Sequence, residues 1–120
     1  MKVYIDDIRP APDGWQQART VTDAIRFISQ FAGEIDEISI DHDISYAVEV
    51  AGTQRPFPSP ENFSAVARYI CAKLYSCEVK LTVHSANPVG AKEIQEIFRE
   101  AKMESEYKPA SRVNRLESEV

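Results

Sequence analysis

Residues 38–45 read ISIDHDIS. Isoleucines at positions 38 and 40 alternate with a serine, and the run then breaks into two aspartates around a histidine. Apolar and polar residues that alternate over a short β-favouring stretch describe a strand with one buried face, which acids at its end cannot continue. Residues 35–40 are therefore expected to form a strand ending in Asp41-His42-Asp43.

The same pattern recurs on both sides of it. Residues 2–5 (KVYI) form an apolar segment stopped by Asp6-Asp7, and residues 79–83 (VKLTV) form another, followed by His84-Ser85-Ala86-Asn87. Pro10, Pro12 and Gly14 mark a loop after the first segment, and residues 15–21 (WQQARTV) make a weaker strand. Helical spacing fills the intervals. Thr22 is the expected N-cap of a helix bearing Ala24, Ile25, Ile28, Phe31 and Ala32, with Gly33 at its end. Ser59, Pro60 and Glu61 read as N-cap, first helical residue and acidic first turn of a second, with Phe63, Val66, Ala67, Ile70 and Leu74 on its buried face. Asn87 is the expected N-cap of a third helix starting at Pro88 and burying Ile94, Ile97, Phe98 and Ala101. Residues 45–59, with Gly52, Pro56 and Pro58, read as a long connection, either a functional lid or a mobile excursion.

Strands that alternate with helices imply right-handed crossovers and a parallel sheet. The expected fold class is a small doubly wound α/β sheet of about four strands with helices on both faces. Residues 1–103 make up that domain. Residues 104–120 (ESEYKPASRVNRLESEV) read as a charged tail or short helix, with Val113, Leu116 and Val120 on a weak apolar edge and no fifth strand.

Composition narrows the function classes. The chain has 120 residues, 43% of them hydrophobic and 28% charged, as in one soluble domain. A formal charge of −5 disfavours duplex nucleic acid, whose binding relies on Lys and Arg neutralising phosphates. No apolar run approaches the roughly 18 residues of a membrane span, and acids follow MKVYI where a signal peptide would stay apolar. A cytoplasmic location is expected. Cys71 and Cys77 read as buried apolar thiols rather than a metal or redox pair.

Ligands of open parallel sheets bind outside the carboxyl ends of the strands, where strand order reverses. That edge gathers Asp6, Asp7 and Arg9 from the first strand end, Asp41, His42 and Asp43 from the third, and His84, Ser85 and Asn87 from the fourth. Side chains alternate along a strand, so not all of these face one pocket. The preferred set is both histidines, Asp6 or Asp7, Asp41, Ser85 and Asn87. Clustered carboxylates need a counter-charge, which a hard cation, an arginine or a protonated histidine supplies. An imidazole held by Asp41 or Asp43 can accept a proton from water while the other protonates a departing alkoxide, as phosphodiester cleavage requires. Ser85, Asn87 and the helix start would then stabilise phosphoryl oxygens, and Arg9 is either a surface residue or a partner of phosphate or of the acids.

At these residues the chain resembles a receiver domain, which places an acidic pair after its first strand, an aspartate after the third and Ser or Thr after the fourth. IDDIRPAP, ISIDHDIS and VHSANPVGAKEI are more closely similar to the cyclic-phosphate processing receiver-like family, whose pattern is DDxR-x-P, DHD and HSxNPxG. The resemblance covers residues 1–103. It implies active-site candidacy for Asp6, Asp7, Arg9, Asp41, His42, Asp43, His84, Ser85 and Asn87. It also implies action on the cyclic phosphate of a nucleotide or RNA end. The expected activity is a phosphoesterase (cyclic phosphodiesterase) reaction with His42, His84, Asp41 and Asp43 catalytic and Arg9, Ser85 and Asn87 on phosphate. Asp6, Asp7 and Asp41 are expected to be available for Mg²⁺ or Mn²⁺.

Two other readings compete. One is a non-catalytic module that binds a ligand, or docks a protein through residues 45–59 or 104–120. The other is a phosphorelay receiver modified on Asp41, for which the sequence shows no lysine after a fifth strand; Arg112 or Arg115 would have to replace it.

Overall fold

The computed structural model describes residues 1–110, those at 45–50 and 54–60 by their backbone alone. The chain forms β1 (Lys2–Ile5), β2 (Trp15–Ala18), α1 (Val21–Phe31), β3 (Glu37–Ile40), β4 (Asp43–Val50), β5 (Thr53–Asn62), α2 (Ser64–Leu74), β6 (Lys80–Val83), α3 (Pro88–Glu100) and β7 (Ser105–Tyr107). Five strands make one parallel sheet in the order β2-β1-β3-β6-β7, and β4 and β5 form a separate antiparallel ribbon.

Register sorts the side chains. Val3, Ile38 and Leu81 stand in one row, and Ile5, Ile40 and Val83 in another. All six are at most 2% exposed and belong to one hydrophobic cluster with Ala24 and Ile28 of α1, Val66, Ala67, Ile70 and Leu74 of α2, and Ala91, Ile94 and Phe98 of α3. Each buried Ile, Leu, Val or Phe adds about 1.5–3 kcal/mol of hydrophobic stabilisation, so this face dominates the fold. The alternate row, Tyr4, Ser39 and Thr82, faces the other way and is polar.

The three helices pack in one layer, α1 on α2 and α2 on α3, against the apolar face, rather than on both faces as the alternation suggests. Topology explains this. The crossovers β2→β3, β3→β6 and β6→β7 all step in the same direction across the sheet, so their right-handedness brings α1, α2 and α3 to one side. The β1→β2 connection steps the opposite way and carries a loop at residues 6–14 instead of a helix.

Several local expectations are corrected. A fifth strand exists: β7 lies beyond residue 103 and pairs in parallel with β6, its end secured by the Lys108 N–H to the Val83 carbonyl at 2.9 Å. A lysine therefore does follow a fifth strand. Residues 43–62 form a hairpin closed by Ala51 and Gly52, both at positive φ, a two-residue turn that matches strand twist. Pro56, Pro58 and Pro60 fall at alternate positions of β5, so their missing N–H groups lie along one edge of the ribbon. Ser59 and Pro60 thus belong to β5, and α2 opens instead with its Ser64 N–H bonded to Asn62 Oδ1 at 2.8 Å. Thr20, not Thr22, caps α1 by accepting the Asp23 N–H at 3.0 Å. Gly33 sits in a 3₁₀ turn, Ala32–Glu34, after α1 has ended.

The α3 start is as the sequence indicates, with Pro88 in the first turn and Asn87 as N-cap. Both thiols are free and half-buried. Arg112, Arg115, Val113, Leu116 and Val120 lie outside the described residues. No helix of the described residues is long and apolar enough to cross a membrane.

Candidate active site

Strand order reverses between β1 and β3, and their carboxyl ends present Asp6 and Asp41 side by side. The row is completed by His84 after β6. All three side chains lie on the polar face and are buried, Asp6 at 0%, Asp41 at 1% and His84 at 6% exposure.

Charges buried this deeply need partners, and the loop after β1 supplies one. Arg9 Nη1 donates to Asp6 Oδ2 at 3.1 Å and to Asp41 Oδ2 at 3.3 Å. The same loop turns back so that the Ile8 and Arg9 N–H groups donate to Asp6 Oδ1 at 2.9 and 2.8 Å. His84 is bound at both nitrogens: Nε2 donates to Asp6 Oδ2 at 2.9 Å, and Nδ1 lies 2.6 Å from Ser39 Oγ, whose hydroxyl it accepts in the neutral tautomer. Its ring stacks on Tyr4, centroids 4.3 Å apart and planes 8° from parallel.

These surroundings drive the two acids apart. Burial alone would raise the Asp6 carboxyl, but hydrogen bonds from His84 and from the N–H groups of Ile8 and Arg9 outweigh it and hold the group below its ordinary value. Burial, followed by the Asp6 charge, pushes Asp41 up to about 6, against the His42 N–H bond and the charges of His84 and Arg9. Two neighbouring carboxyls with opposed shifts are a recurrent feature of acid/base sites.

His42 lies on the helix side of the same rim. Its N–H returns to Asp41 Oδ1 at 2.8 Å, while the ring reaches Asp43 Oδ1 through Nδ1 at 2.7 Å and Glu93 Oε2 through Nε2 at 2.8 Å. A carboxylate oxygen only accepts, so a doubly protonated ring satisfies both contacts. Gly90 leaves the room the ring occupies: a Cβ there would stand 2.3 Å from His42 Nδ1. The two imidazoles therefore share a rim but stand on opposite faces of the sheet.

Asn87 and Ser85 build the start of α3. Asn87 Oδ1 accepts the Val89 and Gly90 N–H groups at 3.1 and 3.2 Å, which fills the anion cradle that the helix end would otherwise offer. Its Nδ2 donates to Asp43 Oδ1 at 3.2 Å. Ser85 is fully buried and its Oγ accepts the Asn87 N–H at 3.0 Å, while its carbonyl receives the Tyr107 hydroxyl at 3.0 Å.

Asp6, Asp7 and Asp41 each offer an oxygen within 4.8 Å of the others, a hard-donor set that fits Mg²⁺ or Mn²⁺. Four contributors escape the sequence reading: Glu93, Ser64, Ser39 and Tyr4. Ser64 Oγ donates to Glu93 Oε1 at 3.0 Å. The signal for Ser39 and Tyr4 was strand parity, since both share a face with Asp41 and Asp6. Glu93 stands three residues after Gly90, on the same face of α3.

Five parallel strands in this order, with an acidic pair after β1, an aspartate after β3 and His-Ser after β6, define a receiver-type α/β domain. The sequence also matches the family described as Cyclic-phosphate processing Receiver domain over residues 1–100. The chain belongs to that family. Neither the curated proteins nor the solved structures hold a match to it.

Proposed function

We propose that the protein processes cyclic phosphates as a phosphoesterase, opening the ring of a cyclic nucleotide or of a 2′,3′-cyclic phosphate at an RNA end. The observation that carries this reading is a row of hydrogen bonds along the rim, from His84 through Asp6 and Arg9 to Asp41, which accepts the main-chain N–H of His42, whose ring in turn meets Asp43. It combines positive charge for a phosphoryl group with a proton donor and acceptors in one place.

The two histidines divide the work unequally. His42 lies just under the surface and is bonded to Asp43, whose side chain is 41% exposed. Asp43 takes the proton of the attacking water as its oxygen bonds to phosphorus. His42 gives up the Nδ1 proton it shares with Asp43 to the alkoxide as the ring P–O bond breaks, while Nε2 stays on Glu93. His84 acts from below, holding Asp6 in place for Arg9. Asn87 and Ser85 fix the turn against which Asp43 rests. Asp6, Asp7 and Asp41 would hold a divalent cation, which supplies charge neutralisation at the phosphoryl oxygens.

Incubation with 2′,3′-cyclic nucleotides and their 3′,5′ isomers, with and without Mg²⁺ or Mn²⁺, tests the reading. Ring-opened monophosphate is the expected product, lost in His42→Ala. Absence of turnover under all conditions, or turnover indifferent to His42→Ala, would remove it.

A second reading has one specific support, the lysine that follows β7. With Asp6, Asp7, Asp41 and Lys108 at the strand ends, the chain has the parts of a phosphate-accepting receiver. Acetyl phosphate would then add one phosphoryl mass at Asp41.

A further inference from the structure

Beyond the HSxNPxG pattern, within the same segment VHSANPVGAKEI, one side chain touches His42 directly. Glu93 comes from α3, three residues beyond the glycine that admits the ring, and is 44% exposed at its side chain. An exposed ion pair is normally a weak and loose contact. This one is tied on both oxygens, Oε2 to His42 Nε2 at 2.8 Å and Oε1 to Ser64 Oγ at 3.0 Å. Ser64 is itself buried at the start of α2, so the carboxylate spans two helices and a strand end.

The ring is thereby located on three sides. Its flank rests on the bare backbone of Gly90, its Nδ1 is tied to Asp43 and its Nε2 to Glu93. Turning the ring over about its Cβ–Cγ bond would put carbon where each nitrogen now bonds, so the two carboxylates together select one ring orientation. Asp43 alone is a looser hold, since its side chain is 41% exposed and can move with the ring.

We infer that Glu93 is a positioning residue for His42: held by Ser64, it fixes the direction of the imidazole so that His42 and Asp43 meet a substrate at the rim in one geometry. The kinetic part rests on the phosphoesterase reading; the ring orientation does not. Misplacing a reacting group by about 1 Å costs on the order of 100-fold in rate without need of a binding change.

The test uses the full chain with Glu93→Ala and Glu93→Gln. Turnover of a 2′,3′-cyclic nucleotide should fall in kcat by about 10- to 100-fold in Glu93→Ala with KM within about two-fold, and largely recover in Glu93→Gln, whose amide oxygen still accepts from Nε2. In parallel, two-bond ¹H–¹⁵N spectra of the His42 ring, assigned against His42→Ala, should show a protected Nε2 proton in the parent and Glu93→Gln proteins. That signal should be lost in Glu93→Ala. A ring signal unchanged in Glu93→Ala overturns the inference, as does an unchanged kcat in an active protein. If the parent protein turns over no cyclic phosphate, the enzymatic reading fails by itself and the ring spectra still decide the role of Glu93.

Discussion

The backbone of Gly90 and the imidazole of His42 are in direct contact, closely enough that a methyl group on Gly90 would lie 2.4 Å from Cγ and 2.9 Å from Cε1. In an open helix, Gly→Ala stabilises by about 1 kcal/mol. Here the ring has to move, so Gly90→Ala should instead destabilise by about 1–3 kcal/mol, as overpacking does, and should lower activity as well. Urea denaturation gives the sign directly. A more stable Gly90→Ala protein would mean that the ring does not rest on α3.

The two histidines should fail differently. Removing His84 takes one bond from the buried Asp6, which keeps those of Ile8 and Arg9, leaves the buried Ser39 hydroxyl without its ring partner and takes away the Tyr4 stack. His84→Ala should therefore cost about 3 kcal/mol or more of stability. His42→Ala, nearer the surface, should cost less stability and more turnover. Equal stability losses would contradict the difference in their surroundings.

The Glu93 bridge has a pH signature. The hydrogen bond from His42, with that of Ser64 next, holds the Glu93 carboxyl below its ordinary 4.5. A lowered folded-state value adds stability that is fully present above the unfolded value and is lost as pH falls through the folded one. The stability gap between the parent and Glu93→Gln proteins should therefore shrink as pH falls below the ordinary Glu93 value of 4.5. A gap that widens on acidification would reverse the assigned sign.

Divalent ions should stabilise the fold through the acids at the strand ends. At 100 times its dissociation constant, Mg²⁺ or Mn²⁺ should add about 2.7 kcal/mol, which a chelator removes. Asp41→Asn should abolish the gain. Arg9→Gln should enlarge it, since the acids lose the cation they already have. Thermal melts with and without the ion report all three.

The fifth strand should be energetically tied to the rim. Tyr107→Phe removes the hydroxyl bond to the Ser85 carbonyl and should cost about 1 kcal/mol. No loss would show that β7 docks independently of the segment that carries Ser85.

The sheet core was legible because its strands alternate or run apolar and stop at acids or a histidine, so β1, β3 and β6 could be read from their ends, whereas the choice between Asp6 and Asp7 and the separation of the two histidines onto opposite faces needed the register. The hairpin was hidden by Pro56 and Pro58, which look like loop residues until their alternate spacing is seen to leave one edge of a two-stranded ribbon intact. β7 was hidden because SEY has no apolar run, and its only described strand partner is β6. Glu93 had no pattern of its own among the acids of α3. Only the passage of that helix over His42 singles it out, and Gly90 was the residue in which the close approach was written.

Because β1 leads into a loop and not a helix, Arg9 reaches Asp6 and Asp41 along the very stretch of chain that follows the first of them. The fold can close over its acids with a cation of its own, without waiting for one from solution. A metal ion arriving there would find the seat already taken by a tethered guanidinium, so its binding would be an exchange, governed as much by how easily that arm lets go as by how well three carboxylates grip.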